Sequence, residues 1–166
     1  VQCRNSRGST ASGLALRHRL THHSAGQFAP RTPNRCPMAL IELVTVLALL
    51  QFLYFAILVG RARERLGVKA PAVTGNEVFE RYLRVQMNTL ELLILFLPAL
   101  WLAVGHVTAW RLALLGGVYL IGRFVYLRAY IAQPSKRSLG FSLSALPILV
   151  LLEIDLVGSV MRLIRD

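Results

Sequence analysis

Three polar side chains interrupt an otherwise apolar stretch: Arg84, Asn88 and Glu91 in ERYLRVQMNTLELL, residues 80–93, which leads directly into ILFLPALWLAV. At about 100° per residue the three fall within some 60° of one another on one helix face. Glu80 stands one turn before Arg84, placed to pair with it. A second run, GRFVYLRAYIAQPSKRS, puts Arg123, Tyr126 and Tyr130 on one face, with Arg137 two turns further on. A charge near the bilayer centre costs from a few to roughly ten or more kcal/mol, so such residues usually face a protein interior or a wet cavity. Guanidinium groups in excess over carboxylates, beside a carboxamide that both donates and accepts, call for an anionic ligand. Mutual ion pairing that only ties helices together is the structural alternative. The excess of Arg over Glu weighs against it.

The elements that must position these residues are membrane helices. The chain has 166 residues, of which 55% are hydrophobic and 16% charged, against roughly 25% charged in an ordinary soluble domain. Four apolar segments follow one another at about 38–60, 78–105, 110–132 and 139–163. Each is long enough to cross a hydrocarbon core of roughly 30 Å. The first lacks a small-residue cleavage signature and reads as an anchor. Pro98 and Pro147 fall inside the second and fourth spans, where packed neighbours can re-satisfy the freed carbonyl. Short connections make the spans antiparallel neighbours in an all-α, four-helix transmembrane bundle. A net charge of +11 does not make this a nucleic-acid binder, because the basic residues flank apolar spans or lie in one tail. Arg61, Arg63, Arg65, Lys69 and Arg81 surround the first connection, and Lys136 and Arg137 the third. By the positive-inside rule these two connections are cytoplasmic and both termini face out. Glu153 and Asp155, near the far end of the fourth span, and His106, in the short outer loop, are expected to be solvated.

Residues 1–37 belong to another regime, with six Arg, three His and no acid. Such a segment buries too little apolar surface to offset chain entropy, which predicts disorder. Its Arg- and Ser-rich character is also that of an organellar transit peptide. With Met38 directly before the first span, and six Arg on the side the charge rule disfavours, the segment reads as an upstream extension of a 38–166 domain. Both cysteines, Cys3 and Cys36, lie in it, so the domain itself carries no disulfide or thiol chemistry. The clustered His18, His22 and His23 are there too, and no metal-ligand spacing occurs elsewhere.

FERYLRVQMNTLE closely resembles the second-helix signature of the MAPEG family, the membrane-associated proteins in eicosanoid and glutathione metabolism. GRFVYLRAYIAQPSKRS resembles that family's second signature, above all in its microsomal glutathione transferase branch. RARERLGVKAPAVTGN is similar to the first loop of bacterial members, and the resemblance runs from about Met38 to the end. It implies a homotrimer of four-helix protomers in a bacterial inner membrane, with glutathione as co-substrate bound between protomers near the cytoplasmic face. By position, Arg84, Asn88 and Glu91 match residues that hold glutathione, and Tyr126 and Tyr130 match two tyrosines beside its backbone. Arg137 matches the arginine that stabilises the thiolate. Arg63 and Gln86 match positions that the leukotriene-C synthase branch supplies from the neighbouring subunit. Gln86 lies about 200° round the helix from Arg84, in keeping with a role outside its own protomer's pocket. Leu92 stands where that branch has a tyrosine and Glu64 where it has a second arginine. Both departures argue against leukotriene synthesis.

The chemistry expected from the resemblance is glutathione transfer to lipophilic electrophiles, or reduction of lipid hydroperoxides, with no metal. Guanidinium forks hold the carboxylates of glutathione and Glu91 takes its ammonium. Arg137, charged at any physiological pH, favours the nucleophilic thiolate but cannot act as a general base. The competing reading is a non-catalytic lipid-binding or scaffold protein of the same family, which has no need of a thiolate-stabilising cation. A small transporter or channel is disfavoured, because no charged path runs through the spans.

Overall fold

The computed structural model describes residues 35–165, and the expectations for the segment before them lie outside that range. Four helices make up the fold: α1 (Arg35–Arg65), α2 (Glu77–Leu102), α3 (Ala109–Ala132) and α4 (Ser138–Arg165). Single 3-10 turns, Ala103–Gly105 and Pro134–Arg137, extend α2 and precede α4. These are the four expected spans, and all four are long and apolar enough to cross a membrane. α1 starts three residues before the expected boundary at 38 and continues five residues past the apolar run, through the basic Arg61–Arg65 segment.

Local chemistry explains where α2 begins. Asn76 caps it, its Oδ1 accepting from the N–H groups of Val78 at 3.0 Å and Phe79 at 3.3 Å. Glu77 and Glu80 add negative charge to the first turn, favourable against the helix dipole. The Glu80 carboxylate accepts from the Gly75 N–H at 3.0 Å. The expected Glu80–Arg84 pair is therefore not formed: Glu80 turns back to close the connection instead. Among the described residues the one ion pair is between Arg81 and Glu77. Across the connection, Arg63 donates to the carbonyls of Val68 at 3.4 Å and Ala72 at 2.8 Å, and its guanidinium lies 4.6 Å from the Phe79 ring centroid. This ties residues 66–76 down between α1 and α2.

The bundle core is a ladder of apolar side chains shared by all four helices, including Ile41, Phe96, Leu100, Leu112, Tyr119 and Leu151. Phe96 and Tyr119 stack face to face at 4.0 Å. Large apolar side chains also face outward along the bundle, among them Leu114, Ile121, Leu149 and Leu156. In water such a surface would aggregate; in lipid it is the expected exterior. α3 and α4 come closest where small residues meet. A Cβ on Gly122 would lie 2.8 Å from the Ser144 backbone nitrogen, and one on Gly140 would lie 2.5 Å from that of Tyr126. Small residues at such crossings let membrane helices approach backbone to backbone. The approach at Gly140 seats Tyr126 against the start of α4, next to Arg137.

At the opposite end, Asp155 departs from expectation. It is buried rather than solvated, and among the described residues neither carboxylate oxygen has a hydrogen-bond partner. The physical reason is Gly158, one turn further along α4, whose bare backbone admits the His106 ring. The 103–108 connection thus folds down over α4, and His106 is half-buried. Glu153 is exposed.

Candidate functional site

The connections 66–76 and 133–137 lie at one end of the bundle, because α1 and α2 run antiparallel, as do α3 and α4. There a cavity of about 820 Å³ opens between α2, α3 and the start of α4. It is lined by Arg84, Asn88 and Glu91 from α2, by Tyr126 and Tyr130 from α3, and by Arg137, Ser135, Ser138 and Phe141 around the α3–α4 turn. A second groove of about 590 Å³ shares Arg84, Glu91 and Tyr130 with it and extends toward Val73 and Thr74. Six of the eight residues singled out from the sequence therefore converge on one space.

Two linked arrangements organise it. The first is a stack of cations and rings. The Arg123 guanidinium lies 4.5 Å from the Tyr126 ring centroid, Tyr126 and Tyr130 are 5.4 Å apart, and the Arg137 guanidinium lies 5.7 Å from Tyr130. Each cation is attracted to the face of its ring, at distances where such contacts are worth about 0.5–2 kcal/mol depending on desolvation. The second is a polar chain running from α3 into α2. Arg123 donates to Asn88 Oδ1 at 3.2 Å and to Thr89 Oγ1 at 2.7 Å. Thr89 in turn donates to the Val85 carbonyl at 2.6 Å, and Asn88 Nδ2 donates to Glu91 Oε2 at 3.2 Å.

Exposure sorts these groups by task. Arg84, Glu91 and Arg137 are open to the cavity, and Asn88 and Tyr130 are half-buried. Tyr126 is only 4% exposed and Arg123 is fully enclosed. Among the described residues neither Arg84 nor Arg137 has an ion-pair partner, so two guanidinium forks face the cavity without a carboxylate paired to them. Against them stands one carboxylate, Glu91. The space therefore suits a molecule with more than one anionic group and a smaller cationic one.

Gln86 and Arg63 do not line this cavity. Gln86 is half-buried on another face of α2, as its helical offset from Arg84 requires. Arg63 is occupied with its own connection, as described above. Sequence reasoning placed Arg123 on the tyrosine face without seeing that it is sealed inside, and it passed over Thr89, Ser135, Ser138 and Phe141. A signal for Arg123 was present, since a lone charge in GGVYLIGRFVY must turn inward if the helix faces lipid. The two serines carried no such signal, because only the short 3-10 turn brings them round.

The MAPEG family model matches residues 41–154. An uncharacterized protein of Synechocystis sp. is 49% identical over 109 residues, covering 66% of this chain and 80% of that one. Human microsomal glutathione S-transferase 2 is 42% identical over 113 residues, covering 68% and 76% of the respective chains. Leukotriene C4 synthase of Cavia porcellus is 36% identical over 121 residues, covering 73% and 81%. The matched span runs from α1 to α4 and contains every residue of the cavity. The chain belongs to the MAPEG family.

Proposed function

We propose that this chain is a membrane-bound glutathione transferase whose site is the cavity between α2, α3 and the α3–α4 turn. The observation that carries this reading is the convergence of Arg84, Asn88, Glu91, Tyr126, Tyr130 and Arg137 on that cavity, with neither Arg84 nor Arg137 held in an ion pair among the described residues. Glutathione has two carboxylates, one ammonium and one weakly acidic thiol, the charge pattern that the lining complements. In this reading Arg84 clamps a carboxylate through a charge-assisted fork and Glu91 receives the ammonium. Tyr126 and Tyr130 flank the peptide backbone and present phenolic donors.

Arg137 acts on the sulfur. The thiol loses its proton to solvent, because no group at Arg137 can accept it, and the fixed positive charge favours the thiolate that remains. The thiolate lone pair then forms a carbon–sulfur bond with an electrophile while the leaving group departs with the displaced electron pair. Because the cavity opens at the end of an apolar bundle, a lipophilic acceptor dissolved in the bilayer has a short path to the sulfur. Peroxide reduction belongs to the same reading. The thiolate attacks a peroxide oxygen, the O–O bond breaks and the departing alkoxide takes a proton from water. A second glutathione thiol then displaces water from the resulting sulfenic acid to give the disulfide. The relatives named as a glutathione S-transferase and a leukotriene C4 synthase support glutathione as the thiol.

The site faces the cytoplasm of a bacterial inner membrane, which the cluster of Arg and Lys at this end supports. Three copies assemble, and Arg63 and Gln86 serve a neighbour's site, in keeping with their positions outside this one. Isothermal titration of the detergent-solubilised protein with glutathione, followed by conjugation of a soluble chloronitrobenzene, tests the central claim. Saturable binding with turnover is the expected result. Binding without turnover of any electrophile or hydroperoxide would favour a lipid-binding scaffold, and no binding would remove the reading altogether.

A further inference from the structure

We propose that Arg123 is a positioning residue: through Asn88 it aims the Glu91 carboxylate at the ammonium group of the thiol substrate. The inference rests on the reading of the cavity as a glutathione site.

Arg123 is fully enclosed, yet the groups that accept from it, Asn88 Oδ1 and Thr89 Oγ1, are both neutral. The Tyr126 ring covers its face, and its Nε has no partner among the described residues. An enclosed cation without a carboxylate is a poor stabiliser, and well-packed apolar residues in place of buried charges are often neutral or stabilising. A Leu or Met would serve a merely structural purpose better at this position. What the guanidinium does, and no apolar residue could, is fix the direction of the Asn88 amide. With Asn88 Oδ1 held by Arg123, the amide must present Nδ2 on its other side, where it donates to Glu91 Oε2. Were the amide reversed, two oxygens would face each other and Glu91 would be pushed away. The hydroxyl of Thr89 is similarly fixed, because it donates its hydrogen to Val85 and has only lone pairs left for Arg123. Each link in the chain thus has one direction, set by a group that is only a donor. The outer end of the chain is the single carboxylate of the cavity.

The test compares glutathione with an analogue whose γ-glutamyl α-amino group is replaced by hydrogen, binding each to the assembled protein in detergent by titration calorimetry. Wild type should bind glutathione about tenfold or more tightly than the analogue, the scale of a charge-assisted contact. Arg123→Met should abolish most of that preference while leaving binding of the analogue nearly unchanged. Arg123→Lys keeps a charge but not the two-pronged fork, so its preference should fall between the two. If Arg123→Met does not assemble, the Lys variant alone decides, by a narrowed preference. Equal fold-losses for glutathione and analogue in either variant would mean that Arg123 supports the fold and nothing more, which overturns the proposal. Absence of glutathione binding to wild type would remove the functional reading, and this inference with it.

Discussion

Arg84 and Arg137 face the same cavity with the same charge, yet they should fail differently when removed. Arg84, on the α2 wall beside Glu91, is proposed to hold a carboxylate whose charge does not change during reaction. Arg84→Ala should therefore raise the KM for glutathione and leave kcat nearly intact, the pattern of lost uniform binding. Arg137 sits across the cavity on the turn before α4, and charge develops on the sulfur that it is proposed to face. Loss of one such charge-stabilising group typically costs about 2.7–4 kcal/mol of transition-state stabilisation, or roughly a hundred- to thousandfold in rate. Arg137 is exposed, and water screens its field, so the lower end of that range is expected. A fixed cation favours the thiolate, so wild type should ionise bound glutathione below the ordinary thiol pKa of about 8.5. Arg137→Ala should shift that midpoint upward toward the free value. The thiolate absorbs in the ultraviolet where the thiol does not, so a pH titration reads the shift directly. Equal midpoints, with glutathione bound in both proteins, would exclude Arg137 from activation and turn attention to the phenols of Tyr126 and Tyr130.

Among the helices, the α3–α4 crossing is the joint on which the site depends. Gly140 lies where an added Cβ would collide with the Tyr126 backbone, whereas Gly117 on α3 has open space around it. Gly140→Ala must therefore push α4 away from Tyr126 and shift Arg137, three residues earlier. Overpacking of this kind costs about 1–3 kcal/mol. Gly117→Ala should be neutral or gain roughly 0.5–1 kcal/mol from helix propensity. Thermal unfolding in detergent and kcat/KM, measured on both variants, test the contrast; equal behaviour would mean that the crossing yields more easily than its geometry implies. The helices themselves were legible in the sequence because lipid imposes a simple rule, about twenty apolar residues per crossing. Five of the six cavity residues were legible because helical spacing collects Arg84, Asn88 and Glu91, and likewise Tyr126 and Tyr130; Arg137, on the turn after α3, was legible through the resemblance of GRFVYLRAYIAQPSKRS to the family signature. What escaped depends on tertiary approach. Glu80 is drawn to the Gly75 N–H rather than to Arg84, Asp155 is covered by a folded-down connection, and Arg123 is enclosed by the Tyr126 ring and by Asn88 and Thr89 of the neighbouring α2. Periodicity along one helix carries no information about its neighbour's register.

In the proposed trimer, Arg63 has two competing roles. The structure gives Arg63 an occupation within its own chain, holding the 66–76 connection through Val68 and Ala72. The proposed trimer gives it another, presenting positive charge to the cavity of an adjacent copy. Two variants, each impaired at glutathione concentrations well below the wild-type KM, distinguish these. Arg84→Ala damages only the site whose α2 it belongs to. Arg63→Ala damages the same copy's site if it acts through its own connection, and a neighbour's site if it acts across the interface. Co-expressed with different tags and purified through both, mixed trimers contain copies of each kind. If Arg63 acts across the interface, a site with intact Arg84 from one copy and intact Arg63 from the next forms once in every mixed trimer, and activity returns to about a third of the wild-type level. If Arg63 acts only within its own chain, every copy retains one defect and mixing recovers nothing. Native mass spectrometry of the doubly purified sample should show three copies. A monomer that binds glutathione with full affinity would end the shared-site model, whatever the complementation result.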